Sequence, residues 1–92
     1  MDTGIRQRLV QEIADIQMRE ILTFFFRDHP EGAEFEALKE MLFLHESFEE
    51  SRLSELVGEK VLAFDGRRYK LSTGARQVLE RDPTILLDEL IQ

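Results

Sequence analysis

Residues 47–71 read SFEESRLSELVGEKVLAFDGRRYKL. The stretch predicts one helix followed directly by a tight β-hairpin. Ser47, with Glu50 three residues later, matches a capping box, in which two side chains satisfy free backbone N–H groups at a helix start. Leu53, Leu56 and Val57 recur at i, i+3, i+4, the stripe of a helix buried along one side. Val61-Leu62-Ala63-Phe64 is a short apolar run with β-propensity. Asp65-Gly66 is a strong hairpin signal, because a type I′ turn needs positive φ and Gly adopts it freely. Arg67-Arg68-Tyr69-Lys70-Leu71 is the expected return strand.

Upstream, Ile21 to Phe26 closes a helix that His29-Pro30 and Gly32 stop. Ala33-Glu34-Phe35 is read either as a short strand or as a helix entry. Phe35, Leu38, Met41 and Leu42 then give a second helix one apolar face. A break over 43–46 leads into Ser47.

The order helix, short strand, helix, helix, hairpin resembles a winged helix-turn-helix domain, from about Met18 to Leu79. Leu71-Ser72, which ends the hairpin and opens a helix containing Gly74, fits the same pattern. Two departures stand out. A Gly commonly precedes the first apolar pair of the hairpin, whereas this chain has Lys60 there and Gly58 two residues earlier. The spacing from Leu71 to Gly74 is one residue shorter than usual. The expected fold class is mainly α with a small β-hairpin (α+β), a winged helix-turn-helix with extra terminal helices. Its expected parts are an N-terminal helical extension over 1–17, a core over 18–81 and a C-terminal helix over 82–92.

Ninety-two residues with 42% apolar content and seven Phe suit one small domain with a modest core, which oligomerisation would help. The absence of Cys excludes disulfides and thiolate metal sites, and fits an expected cytoplasmic location. No apolar run approaches ~18 residues, so no membrane span is expected. The opening MDTGIRQRL lacks the apolar segment of a signal peptide.

Charge is unevenly placed within a net −7. Residues 31–59 carry nine Glu against Lys39 and Arg52. Residues 60–81 carry Lys60, Arg67, Arg68, Lys70, Arg76 and Arg81 against Asp65 and Glu80. The two helices of the helix-turn-helix are therefore acidic, and the hairpin with its following helix is basic. DNA affinity rests on cations meeting phosphates. The third helix, which the resemblance would place in the major groove, offers Phe48, Glu49, Glu50, Arg52 and Glu55, of which Arg52 alone suits guanine. Acidic residues in a first turn also complement the helix dipole without any partner. Strand alternation puts Arg68 and Lys70 on one face and Tyr69 and Leu71 on the other. Such cations either contact phosphate or blunt an exposed edge.

Ile5 to His29 predicts one long helix, straight or bent. Ile5, Leu9, Ile13 and Ile16 line one side; Val10, Ala14, Met18, Ile21, Leu22 and Phe25 line another. The second stripe suits the domain core. The first needs a further surface, either the C-terminal Ile85, Leu86, Leu87, Leu90 and Ile91 or a second copy. A homodimer through Ile5, Leu9, Ile13, Ile16, Leu87, Leu90 and Ile91 is the expectation.

No catalytic or cofactor motif stands out, so neither an enzyme nor a cofactor is expected. His29 and His45 lie in different loops, without metal-ligand spacing. Two functions of different classes remain. One is a DNA-binding transcriptional regulator, its contact led by Arg67, Arg68 and Lys70 with Arg52 as helix reader. The other is a protein-interaction module presenting Glu36, Glu40, Glu49, Glu50 and Glu55 to a basic partner.

Overall fold

A computed structural model describes the backbone of residues 2–86 and the side chains of residues 4–86. The elements are α1 (Asp2–Glu12), α2 (Ile16–Thr23), a π-helical turn (Phe24–Asp28), α3 (Phe35–Met41), α4 (Ser51–Gly58), β1 (Leu62–Phe64), β2 (Tyr69–Leu71) and α5 (Thr73–Arg81). The chain is thus mainly helical with one small antiparallel hairpin.

The expected long helix is two helices. Asp15 breaks it, adopting extended backbone (φ −91°, ψ 120°) and accepting hydrogen bonds from the Gln17 and Met18 N–H groups. An Asp N-cap of this kind satisfies donors that a continuous helix would have bonded internally. Arg19 Nη1 donates to the Ile13 carbonyl at the end of the preceding segment (3.0 Å). The bend also reconciles the two stripes. Leu9 and Ile13 are buried in the same core as Met18, Ile21, Leu22 and Phe25, whereas Val10, Ala14 and Ile16 face out.

That core corrects the expected dimer interface at Leu9 and Ile13. α1 packs on α5 of its own chain, with Leu9 and Ile13 buried, Ile5 partly buried, and Arg6 paired to Asp82 at 2.6 Å. The approach is close: a Cβ on Gly74 would stand 2.7 Å from Ile5 Cδ1. Ile16 stays 63% exposed, outside this core. Leu87, Leu90 and Ile91 lie outside the described residues; before them, 83–86 form a 3₁₀ turn that buries Ile85 and Leu86.

The capping box is absent as well. α4 starts at Ser51, its cap residue Glu50 makes no side-chain cap bond, and Ser47 instead bonds His45. Phe48 is the physical reason. Its ring is buried against Phe35 at 6.4 Å between centroids, and the chain stays non-helical over 48–49 to place it. At its other end α4 closes in a Schellman motif. The Lys60 N–H donates to the Val57 carbonyl (3.1 Å) and the Val61 N–H to the Leu56 carbonyl (2.9 Å). This places Lys60 at φ +66°, the left-handed position that Gly favours.

The hairpin pairs Leu62 with Leu71, Ala63 with Lys70 and Phe64 with Tyr69. Strand β2 therefore begins at Tyr69, and Arg67 and Arg68 belong to the turn. Only Gly66 in that turn has positive φ (+101°), so it is not type I′, which takes positive φ at both central residues. The Asp65 carboxylate holds it, accepting from the Arg67 and Arg68 N–H groups at 2.9 and 2.8 Å. These two bonds keep the Asp65 carboxyl below the usual range. Ala33 adds a single bridge to β2, exchanging two 2.9 Å bonds with Tyr69. Gly32 permits that approach, with φ +90° and a backbone so near Tyr69 that a Cβ would collide with its carbonyl oxygen.

Candidate interaction surface

Four cations were the candidates for nucleic acid. Arg52, on the first turn of α4, faces α1 and the α1–α2 corner. Its Nη1 lies 2.7 Å from Asp15 Oδ2, its Nη2 3.1 Å from Glu12 Oε1, and its guanidinium sits over the Phe48 ring at 5.3 Å. The Arg52 hydrogen bond is the main cause holding the Asp15 carboxyl below its usual range, and the same bond raises Arg52. Both directions describe one tight pair. A planar guanidinium so engaged cannot present its fork to a base edge unless those bonds break.

Arg67 is engaged too, with Nη2 2.8 Å from Glu34 Oε2, though its side chain is largely exposed. Arg68 and Lys70 are exposed on the hairpin. Along β2 the predicted alternation is present: Tyr69 and Leu71 are buried and Lys70 faces out. Arg76, counted among the basic residues of this end, serves the backbone. It donates to the Phe25 carbonyl at 2.8 Å and lies over the Phe26 ring, so it caps carbonyls of the π turn. Of the six cations over 60–81, Arg76 is thus turned to backbone, while Lys60, Arg67, Arg68, Lys70 and Arg81 stay exposed.

The acidic residues are mostly solvent-facing. Glu36 is on the first turn of α3, its side chain 80% exposed and 3.8 Å from Lys39, and Glu40 follows one turn later, also exposed. Glu49 accepts a 3.3 Å bond from Ser51. Glu55 is exposed on α4, 3.9 Å from Arg8. Glu50 accepts from the Tyr69 hydroxyl at 2.7 Å and so ties α4 to the hairpin. Burial raises the Tyr69 hydroxyl above its usual pKa, and Glu50 beside it adds to the rise.

Glu34, Glu36 and Glu50 come together around a shallow groove of about 310 Å³ that Phe35, Phe64, Gly66 and Arg67 also line. Phe64 is 45% exposed and stacks on Tyr69 at 4.4 Å. Carboxylates beside an exposed aromatic face suit a guanidinium or ammonium group, which both attract. Of the predicted acidic set, Glu36 and Glu50 line this groove; Glu40 and Glu55 sit elsewhere on the helices and Glu49 adjoins Glu50. Glu34 and Phe64 were not singled out in the sequence. Their juxtaposition follows from the Ala33–Tyr69 bridge, which has no local signature.

Among the described residues no group of three or more His, Asp or Glu could hold a metal ion. None of the described helices is long and apolar enough to cross a membrane. No protein-family model, characterised protein or solved structure matches the chain.

Proposed function

We propose that this chain is a winged helix-turn-helix domain that works as a protein-interaction module, docking a basic segment of a partner against its α3–α4–hairpin face. The element order, the bridge of Ala33 to the hairpin and the positive φ at Lys60, where such domains commonly carry Gly, support the winged-helix reading. One observation carries the choice of a protein over DNA. The one cation of α4, Arg52, is held by Asp15 and Glu12 of its own chain, among exposed carboxylates that repel phosphate. Arg67 shows how the acidic groove takes a guanidinium, since its own pairs there with Glu34. An Arg or Lys of a partner would meet Glu36, Glu50 and the Phe64 ring in the same groove.

The test is affinity for a labelled Arg-rich peptide, using the 92-residue chain near physiological salt. Glu36→Lys with Glu49→Lys should weaken binding at least about tenfold, because both charges flank the groove. Reversal of two distant exposed carboxylates, Glu59 and Glu80, changes net charge equally and should cost only about twofold through bulk field. Equal losses from the two pairs would mean net charge alone attracts the peptide, and the assigned face would be wrong.

A further inference from the structure

The acidic groove already holds a cation of its own chain. Arg67 is the one cation among its lining residues, against Glu34, Glu36 and Glu50. Its Nη2 lies 2.8 Å from Glu34 Oε2, a bond that crosses from the hairpin turn to the start of α3. Glu34 stands at the N-cap of α3 yet makes no side-chain cap bond, and its carboxylate is turned to Arg67 instead. Both backbones are fixed independently of this pair. The Asp65 carboxylate and Gly66 set the turn that carries Arg67. The Ala33–Tyr69 bridge sets the chain that carries Glu34 into α3. The Arg67 and Glu34 side chains are 77% and 46% exposed. The guanidinium can therefore leave Glu34 by side-chain rotation alone, at the small cost of an exposed ion pair.

We infer that Arg67 is an internal competitor of the partner. In the free chain it occupies Glu34, and a basic segment must displace it to use the whole groove. The inference rests on the docking reading above and adds a regulation to it. A forked arginine–carboxylate pair uses both carboxylate oxygens, and Arg67 already takes Oε2 of Glu34. A partner arginine thus gains the stronger two-bond pair only when Arg67 leaves. The contact sets a threshold. A lone cation gains little over Arg67, whereas a segment with several cations engages Glu36, Glu50 and Phe64 first and then takes Glu34. The charge of Arg67 also repels any incoming cation, but that effect acts through space and needs no Glu34. The two effects are therefore separable. Arg68 supplies the comparison, because it carries the same charge on the same turn and is exposed. It lines the neighbouring groove with His29 and Glu31, and Glu34 stands on the rim that the two grooves share.

Anisotropy of the labelled Arg-rich peptide, titrated with the 92-residue chain, decides it. Arg67→Ala keeps the backbone bonds of the turn and should tighten binding about threefold, within the range of an exposed ion pair. Arg68→Ala removes the same charge and should tighten binding by less than about 1.5-fold, through bulk field alone. In a Glu34→Gln background the gain from Arg67→Ala should fall to the Arg68→Ala level, because the contested carboxylate is gone. An Arg67→Ala gain no larger than that of Arg68→Ala overturns the proposal, as does a loss of affinity. So does a gain that survives Glu34→Gln, which would mean repulsion at a distance. Failure of the docking reading looks different. If Glu36→Lys with Glu49→Lys weakens binding no more than reversal of Glu59 and Glu80, the face is wrong and the competition falls with it. If that reversal discriminates but Arg67→Ala does not, the face stands and the competition alone is wrong.

Discussion

Lys60 and Arg52 show how far a single residue's meaning depends on its backbone and its neighbours. Lys60 stands where the winged-helix pattern commonly has Gly, and its φ of +66° explains the preference. A side chain there bears a left-handed cost that Gly escapes. The Ser72 hydroxyl donates to the Lys60 carbonyl, a bond that Gly would retain. Lys60→Gly should therefore stabilise the fold by about 1 kcal/mol, read as a higher urea midpoint at an unchanged slope. An unchanged or lower midpoint would mean the Lys60 stem contributes packing that offsets the strain. Arg52 is the opposite case. In the sequence it is the only apparent guanine reader among acidic residues. In the fold its partners are 37 and 40 residues away, at Asp15 and Glu12. No local pattern announces a pair at that separation, although Asp15 itself carries the residue type of a helix N-cap.

Elements were legible where one periodicity decided them. The stripe Leu53, Leu56, Val57 marks α4, with the first two buried, and Leu38 with its partly buried neighbours Phe35 and Leu42 marks α3. The apolar run 61–64 and Gly66 locate the hairpin, and Ser72 opens α5 by capping the Ala75 N–H at 3.0 Å. Boundaries set by tertiary packing were not legible. Burial of Phe48 delays the start of α4 past the apparent capping box. The bend at Asp15 turns α1 back onto α5, so a stripe that reads as needing a second molecule is satisfied within one. This difference is measurable. Leu9→Ala removes a fully buried side chain and should cost about 2–5 kcal/mol of unfolding free energy, independent of protein concentration. A variant of near-wild-type stability would return α1 to the surface and restore the terminal-helix interface expected from sequence.

At the scale of the whole molecule, folding sorts the charge differently from the sequence. The chain has a basic stretch and an acidic stretch, but Arg52, Arg67 and Arg76 are each bound to oxygen atoms of the same molecule. On the hairpin Arg68 and Lys70 are exposed, and Arg67, also largely exposed, is paired with Glu34, against a net charge of −7. So small a cluster of cations releases few counterions, and exposed carboxylates around α4 oppose any phosphate that approaches. The acidic groove with Phe64, in contrast, sets carboxylates beside an exposed aromatic ring, as the proposed docking of a basic segment requires. The most direct test of this account is fluorescence anisotropy of a random-sequence DNA duplex titrated with the protein at low salt, then at salt raised several-fold. The account predicts no binding at protein concentrations up to about 100 μM, even at the lowest salt. Micromolar binding that falls steeply as salt rises would contradict it, and would return the hairpin to the role of a DNA-contacting wing.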